Sequence, residues 1–202
     1  MARMIGARAA MTAVAAWLVT STIAFPAPLS MQTGAVTSQP IGHYEFCKTN
    51  RSECGPTTRR VAPAHLTGAG WNAVRDINIS VNRAITPMTD KDLVGQDELW
   101  AYPDGAGDCE DFVLLKRKKL MERGFSAADL LITVVRKPDG EGHAVLTVRT
   151  SEGDFILDNL ENDVKLWSDT PYRYLKRQAS FHAGRWVSIE NGDTMMVSAV
   201  GK

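Results

Sequence analysis

Between residues 67 and 158 the spacing of apolar side chains changes period, and the change divides this part of the chain into helices followed by strands. Trp71, Val74, Ile77 or Asn78, Val81 and Ile85 recur at three- and four-residue intervals, with Asn72, Arg75, Asp76, Asn82 and Arg83 between them. That spacing predicts a helix with one packing face, ending before Pro87. A second helix is predicted from Cys109 to Arg123, with Phe112, Val113, Leu115, Leu120 and Met121 inward and Gly124 as its C-terminal cap. Acidic residues at its start and basic ones at its end both suit the helix dipole, and the run Lys116 to Lys119 reads as a solvated face. Beyond it the period drops to two. Leu130 to Arg136, His143 to Thr150 and Phe155 to Asp158 are β-branched and apolar runs separated by turn chemistry at 137–142 and 151–154, predicting an antiparallel meander. Val164 to Trp167, Tyr172 to Leu175 and Arg185 to Ile189 read as further strands of the same sheet, and the last dozen residues carry no pattern. The fold class is therefore α+β, a helical half packed on an antiparallel sheet.

The remaining segments are read by contrast. Arg3 and Arg8 precede an apolar run, Ala9 to Val19 and on to Phe25, ending at Pro26-Ala27-Pro28. This is a secretory signal pattern over residues 1–27, with cleavage expected near position 24 to 27; an uncleaved membrane anchor would need a somewhat longer run. Residues 28–41 read as a flexible leader, and residues 42–202 as one domain whose first part, to Ala64, is loop-like. His43 and His65 fall here and read as solvated or capping histidines. Residues 86–107, rich in Asp, Gly and Pro and including Asp90, Asp92, Asp97, Trp100, Tyr102 and Pro103, form a long stretch of the kind that lines a site.

Composition narrows the partners. The 202 residues are 44% hydrophobic and 23% charged, with 23 basic and 23 acidic side chains. Loss of Arg3 and Arg8 with the leader changes that balance to 21 against 23. A near-neutral chain without a basic stripe gives no reason to expect nucleic acid, and no membrane span is expected once the signal is removed. Periplasmic or secreted location follows from the leader. There are three cysteines: Cys47 and Cys54 enclose a polar six-residue loop, which in an exported protein reads as a small disulfide loop. A zinc site is less suited to that pair, since no second closely spaced pair exists. Cys109 is left over.

That odd thiol sits in Gly107-Asp108-Cys109-Glu110-Asp111, where a glycine-rich loop turns into a helix. Unpaired N–H groups and the helix dipole favour a thiolate there. His143 opens one predicted strand and Asp158 closes the next, so an antiparallel pair brings them side by side. Cys109 as nucleophile, His143 as base and Asp158 as orienter complete a cysteine-hydrolase constellation. The carboxylates of Asp108, Glu110 and Asp111 would oppose ionisation of the thiol. A divalent cation, calcium by ligand type, would remove that penalty; the other reading of these residues is a plain helix cap.

The blocks Gly-Asp-Cys-Glu-Asp-Phe at 107–112, Gly-His-Ala-Val-Leu at 142–146, Leu-Asp-Asn at 157–159 and Tyr-Arg-Tyr-Leu-Lys-Arg-Gln at 172–178, followed by Trp186, resemble the bacterial transglutaminase-like cysteine proteinases, periplasmic peptidases of the LapG type. The resemblance spans about residues 41–190. It implies a papain-like transglutaminase core and a Cys109, His143, Asp158 triad. It also implies calcium held beside the cysteine by Asp108 and Glu110, cleavage of the N-terminal region of a large surface adhesin, and restraint by an inner-membrane receptor for cyclic di-GMP. The glutamine that papain places six residues before its cysteine is Pro103 here. The backbone N–H of Cys109 is then the first oxyanion donor to consider, and Trp100 or a loop amide the second. Two alternatives stay open at this point: a non-catalytic peptide-binding module on the same fold, and a transamidase.

Overall fold

A computed structural model describes residues 29–57 and 62–190. The expected signal segment and the final dozen residues lie outside the described residues. In chain order the elements are β1 (Gln32–Thr37), α1 (Ile41–Thr49), α2 (Gly68–Ala84), β2 (Thr86–Pro87), α3 (Asp90–Val94), β3 (Ala106–Gly107), α4 (Cys109–Glu122), β4 (Leu130–Arg136), β5 (Gly142–Thr150), β6 (Gly153–Leu157), β7 (Lys165–Leu166), β8 (Arg173–Ala179) and β9 (His182–Glu190). Seven strands form one sheet in the order β1-β9-β8-β4-β5-β6-β7, every neighbouring pair antiparallel.

The expected helices form where their apolar stripes can be buried. Thr67 caps α2 by accepting from the Gly70 N–H at 3.2 Å, and Val74, Ile77 and Val81 are buried on one side of it. α4 packs between α2 and β5. Their common core joins Val74, Ile77, Val81, Phe112 and Leu120 to Ile132, Leu146, Val148 and Leu157 of the sheet. The other sheet face buries Val135, Val145, Ile156, Trp167, Tyr174 and Ile189, so alternate residues of the central strands fill two cores.

Four readings need correction. Of the expected flexible leader at 28–41, residues 32–37 are instead the strand β1, which pairs with β9, Gln32 opposite Glu190 and Thr37 opposite Trp186. The stretch from Gly42 onward begins as a helix, α1, and not as loop. His43 is neither solvated nor a cap: it is 1% exposed, and the Trp186 indole N–H donates to its Nδ1 at 3.2 Å. The basic run on α4 is only half solvated. Lys118 and Lys119 are exposed, whereas Lys116 and Arg117 are buried, Arg117 Nε donating to the Leu130 carbonyl at 3.1 Å. The expected disulfide is present, Cys47 to Cys54 with 5.7 Å between Cα atoms, tying the end of α1 to the turn after it.

Candidate active site

The short parallel pair β2–β3, Thr86 opposite Ala106 and Pro87 opposite Gly107, fixes the loop that delivers α4. Gly107 is required there: a Cβ on it would lie 2.6 Å from Asp111 Oδ2. Cys109 follows as the first residue of α4. Its S–H donates to Glu110 Oε2 at 3.1 Å, and its Sγ accepts from the Ala144 N–H at 3.4 Å. The thiol therefore lies against the residue that follows His143 in β5.

His143 and Asp158 meet as the strand pairing predicts. His143 Nε2 is 2.9 Å from Asp158 Oδ1, both side chains being buried. The Leu160 N–H donates to the same carboxylate oxygen at 3.0 Å, and the Tyr172 hydroxyl donates to Oδ2 at 2.5 Å. Burial pushes the Asp158 acid up, but hydrogen bonds from His143, Tyr172 and Leu160 outweigh it and hold this carboxyl below its ordinary range. Tyr172 is raised above the ordinary phenol range by burial and by Asp158, so it stays a donor. Its ring centroid is 5.6 Å from that of His143. Because Nε2 serves Asp158, Nδ1 is the ring nitrogen left to act as base. Cys109 and His143 open together on a cleft of about 410 Å³, walled by Pro40, Ile41, Trp100 and Val134, with Lys176 farther along.

Next to the thiol lies a carboxylate cluster. Asp90, Asp108 and Glu110 each bring one oxygen to within 4.8 Å of the others. Burial, then the charge of Asp108, pushes Glu110 up to about 8. Burial pushes Asp111 up to about 7, with Asp108 and Asp90 adding to it. Asp108 is raised by burial and by Asp90 and Glu98, and its Oδ1 is buried with no hydrogen-bond partner among the described residues. Three convergent carboxylates, one with an orphaned oxygen, fit a hard cation that takes oxygen ligands. The thiol feels the same cluster: burial, then Glu110, pushes Cys109 well above its ordinary value, so the helix start alone does not ionise it.

All the predicted residues, Cys109, His143, Asp158, Asp108 and Glu110, thus come together. Asp90 and Tyr172 complete the set and were not singled out from the sequence. Asp90 stood among several loop aspartates, and Tyr172 looked like any strand aromatic. Trp100 lines the cleft, but its indole N–H donates to Glu98 Oε1 at 2.7 Å, which leaves the Cys109 backbone N–H as the first oxyanion donor.

The chain is similar to a known family in sequence and to a known protein in structure. Residues 33–194 match the bacterial transglutaminase-like cysteine proteinase family. Calcium-bound LapG of Legionella pneumophila is similar in structure, with a TM-score of 0.50 and 27% identity over 58% of this chain and 68% of that one. EGTA-treated LapG of the same organism gives 0.50 and 26% over 62% and 74%. No curated protein matches the chain in sequence.

Proposed function

The chain belongs to the bacterial transglutaminase-like cysteine proteinases and is a cysteine peptidase, and from that premise we propose that it cleaves peptide bonds with Cys109, His143 and Asp158 in a calcium-dependent way. The observation that carries the reading is the His143 to Asp158 contact of 2.9 Å, with the Cys109 thiol opening on the same cleft as His143. His143 Nδ1 takes the thiol proton, and Asp158 stabilises the imidazolium through Nε2–H. Sγ attacks the substrate carbonyl carbon, and the oxyanion turns toward the Cys109 N–H at the start of α4. The tetrahedral species collapses as Nδ1–H protonates the leaving amine, and the acyl-enzyme remains. His143 then draws a proton from water, whose oxygen attacks the thioester and releases the acid and the thiol.

Asp90, Asp108 and Glu110 are the residues that would hold calcium, whose positive charge would offset theirs and free the thiol from its bond to Glu110. LapG supports this, since it is known in calcium-bound and EGTA-treated forms. Export is proposed from the basic and apolar leader together with the Cys47–Cys54 bond. The substrate is proposed to be a large surface adhesin and the regulator an inner-membrane cyclic di-GMP receptor, both on the family likeness.

The test is a peptide library prepared from a digested bacterial proteome, with new N-termini captured after incubation with the purified chain in calcium. The wild type should generate new termini. Cys109→Ala should generate none while melting at the wild-type temperature, and excess EGTA should silence the wild type. Cleavage by Cys109→Ala would refute the triad, and full activity in EGTA would refute the calcium site.

A further inference from the structure

Lys176 of β8 brings an ammonium to the same cleft as Cys109 and His143, and the proposed chemistry does not use it. Its place follows from the register of the sheet. Ala144 of β5 stands opposite Val134 of β4, and Val134 stands opposite Lys176. Residues paired in this way share one face of a sheet. Here it is the face covered by α4, since Ala144 belongs to that core and Val134 packs against it. The Ala144 N–H donates to the Cys109 thiol at 3.4 Å, so the row begins at the nucleophile. With neighbouring strands about 4.8 Å apart, its other end lies roughly 10 Å away.

The ammonium at that end is held but not neutralised. Lys176 Nζ donates to the Ser38 carbonyl at 2.9 Å, which fixes it against the segment that leads into α1. An ammonium has three N–H donors, and Lys176 enters no ion pair among the described residues. The carboxylates of the cleft are engaged elsewhere: Glu110 accepts from the Cys109 thiol and Glu98 from the Trp100 indole. Lys176 is half-buried, and burial holds it below the ordinary lysine value. A carboxylate that reached it would meet an ammonium already partly withdrawn from water, where the attraction is stronger. Between the two ends of the row Val134 offers only apolar contact.

We propose that Lys176 is a specificity-determining residue of the peptidase: it selects protein segments that carry an Asp or Glu about three residues from the bond that is cut. An extended chain advances about 3.3 Å per residue, so a segment laid along the row from the thiol reaches the ammonium with its third residue. The inference rests on the peptidase reading above, and its test separates the two.

The test uses the proteome library and the full chain saturated with calcium. Sites cut by the wild type should be enriched in Asp and Glu at one position about three residues from the cut. Lys176→Met should cut without that enrichment, and Lys176→Glu should replace it with Lys and Arg. A quenched peptide matching a site cut by the wild type then gives the size of the effect. Exchanging its acidic residue for the neutral amide should lower wild-type kcat/KM about fivefold, as suits a partly exposed ion pair. The loss should lie in KM and shrink at high salt. Lys176→Met should cut the two peptides equally. A purely structural lysine would lower the melting temperature on replacement and leave the preference for the acidic peptide intact. Lys176→Gln carries the same test if the methionine variant does not fold. A folded neutral variant that keeps the acidic preference overturns the proposal. Failure of both neutral variants to fold also counts against it, because it makes Lys176 structural. Cleavage by the wild type with no acidic preference overturns the proposal and leaves the triad standing, whereas a wild type that cuts no library peptide removes the peptidase reading and this proposal with it.

Discussion

Three residues of the site could be read from the sequence because each stands where the local pattern changes: Cys109 at a loop-to-helix boundary, His143 and Asp158 at strand ends of one meander. The residues that were not singled out, or were misread, depend on contacts distant in sequence. Asp90 is brought to Asp108 by the parallel β2–β3 pair, which joins segments some twenty residues apart without an apolar run to announce it. Lys116 and Arg117 were misread because adjacent basic residues are almost always solvated; only the packing of α4 between α2 and the sheet shows that half of that run turns inward. Tyr172 yields a sharp expectation. Its hydroxyl fills the second oxygen of Asp158 at 2.5 Å, so Tyr172→Phe should loosen the orienter while keeping the ring beside His143. Hydrogen bonds to a charged group are worth about 1.5–3 kcal/mol, and water entering the small cavity that Tyr172 and Asp158 both line recovers part of this. A fall in kcat of roughly tenfold with KM within about twofold is expected. Steady-state kinetics on the quenched peptide decide it, and an unchanged kcat would remove Tyr172 from the positioning of Asp158.

At the level of elements, α2, α4 and the meander β4–β5–β6 were legible, since each buries a regular stripe or alternation over several residues. β1 and α1 were not. β1 is an edge strand with one partner and no buried residue, so no alternation marks it. α1 is nine residues long and buries only Gly42, His43 and Phe46, too few for a helical period to stand out. Yet α1 helps to shape the cleft. Gly42 packs so closely on Trp100 that a Cβ there would meet Trp100 Cδ1 at 2.3 Å, and the Cys47–Cys54 bond holds the far end of the same helix. Closing a loop of this length is worth about 2.5 kcal/mol in the chain-entropy account. The double variant Cys47→Ser, Cys54→Ser should therefore melt about 5–10 °C lower and retain activity well below its transition. Calorimetry in calcium is the check. A double variant as stable as the wild type would show that the bond does not stabilise the fold.

Across the whole molecule, the two halves join around a group whose protonation opposes folding. His43 of α1 is enclosed by Phe46, Trp100 and Trp186, with ring centroids 6.2, 5.3 and 5.4 Å away. Gln39 Nε2 lies 2.7 Å from its Nδ1, and Gln178 Nε2 of β8 lies 3.1 Å from its Nε2. The Trp186 indole N–H can only donate, so Nδ1 must keep a lone pair. Burial, with the charge of Arg117 added, lowers His43 to about 4 from 6.5. In the unfolded chain the imidazole takes up its proton near the ordinary value, whereas in the folded chain it resists until about pH 4. Between those limits the unfolded state binds the extra proton. Stability from this residue is thus fully present above about 6.5 and is lost as pH falls toward 4, by about 1.4 kcal/mol per pH unit and roughly 3 kcal/mol in all. Denaturant unfolding measured from pH 7 to pH 4 should show that slope in the wild type. In His43→Gln the baseline stability should be lower, but the slope should be shallower by about one proton. Equal slopes in the two proteins would mean that His43 takes its proton as readily folded as unfolded, and that the acid sensitivity of the junction lies elsewhere.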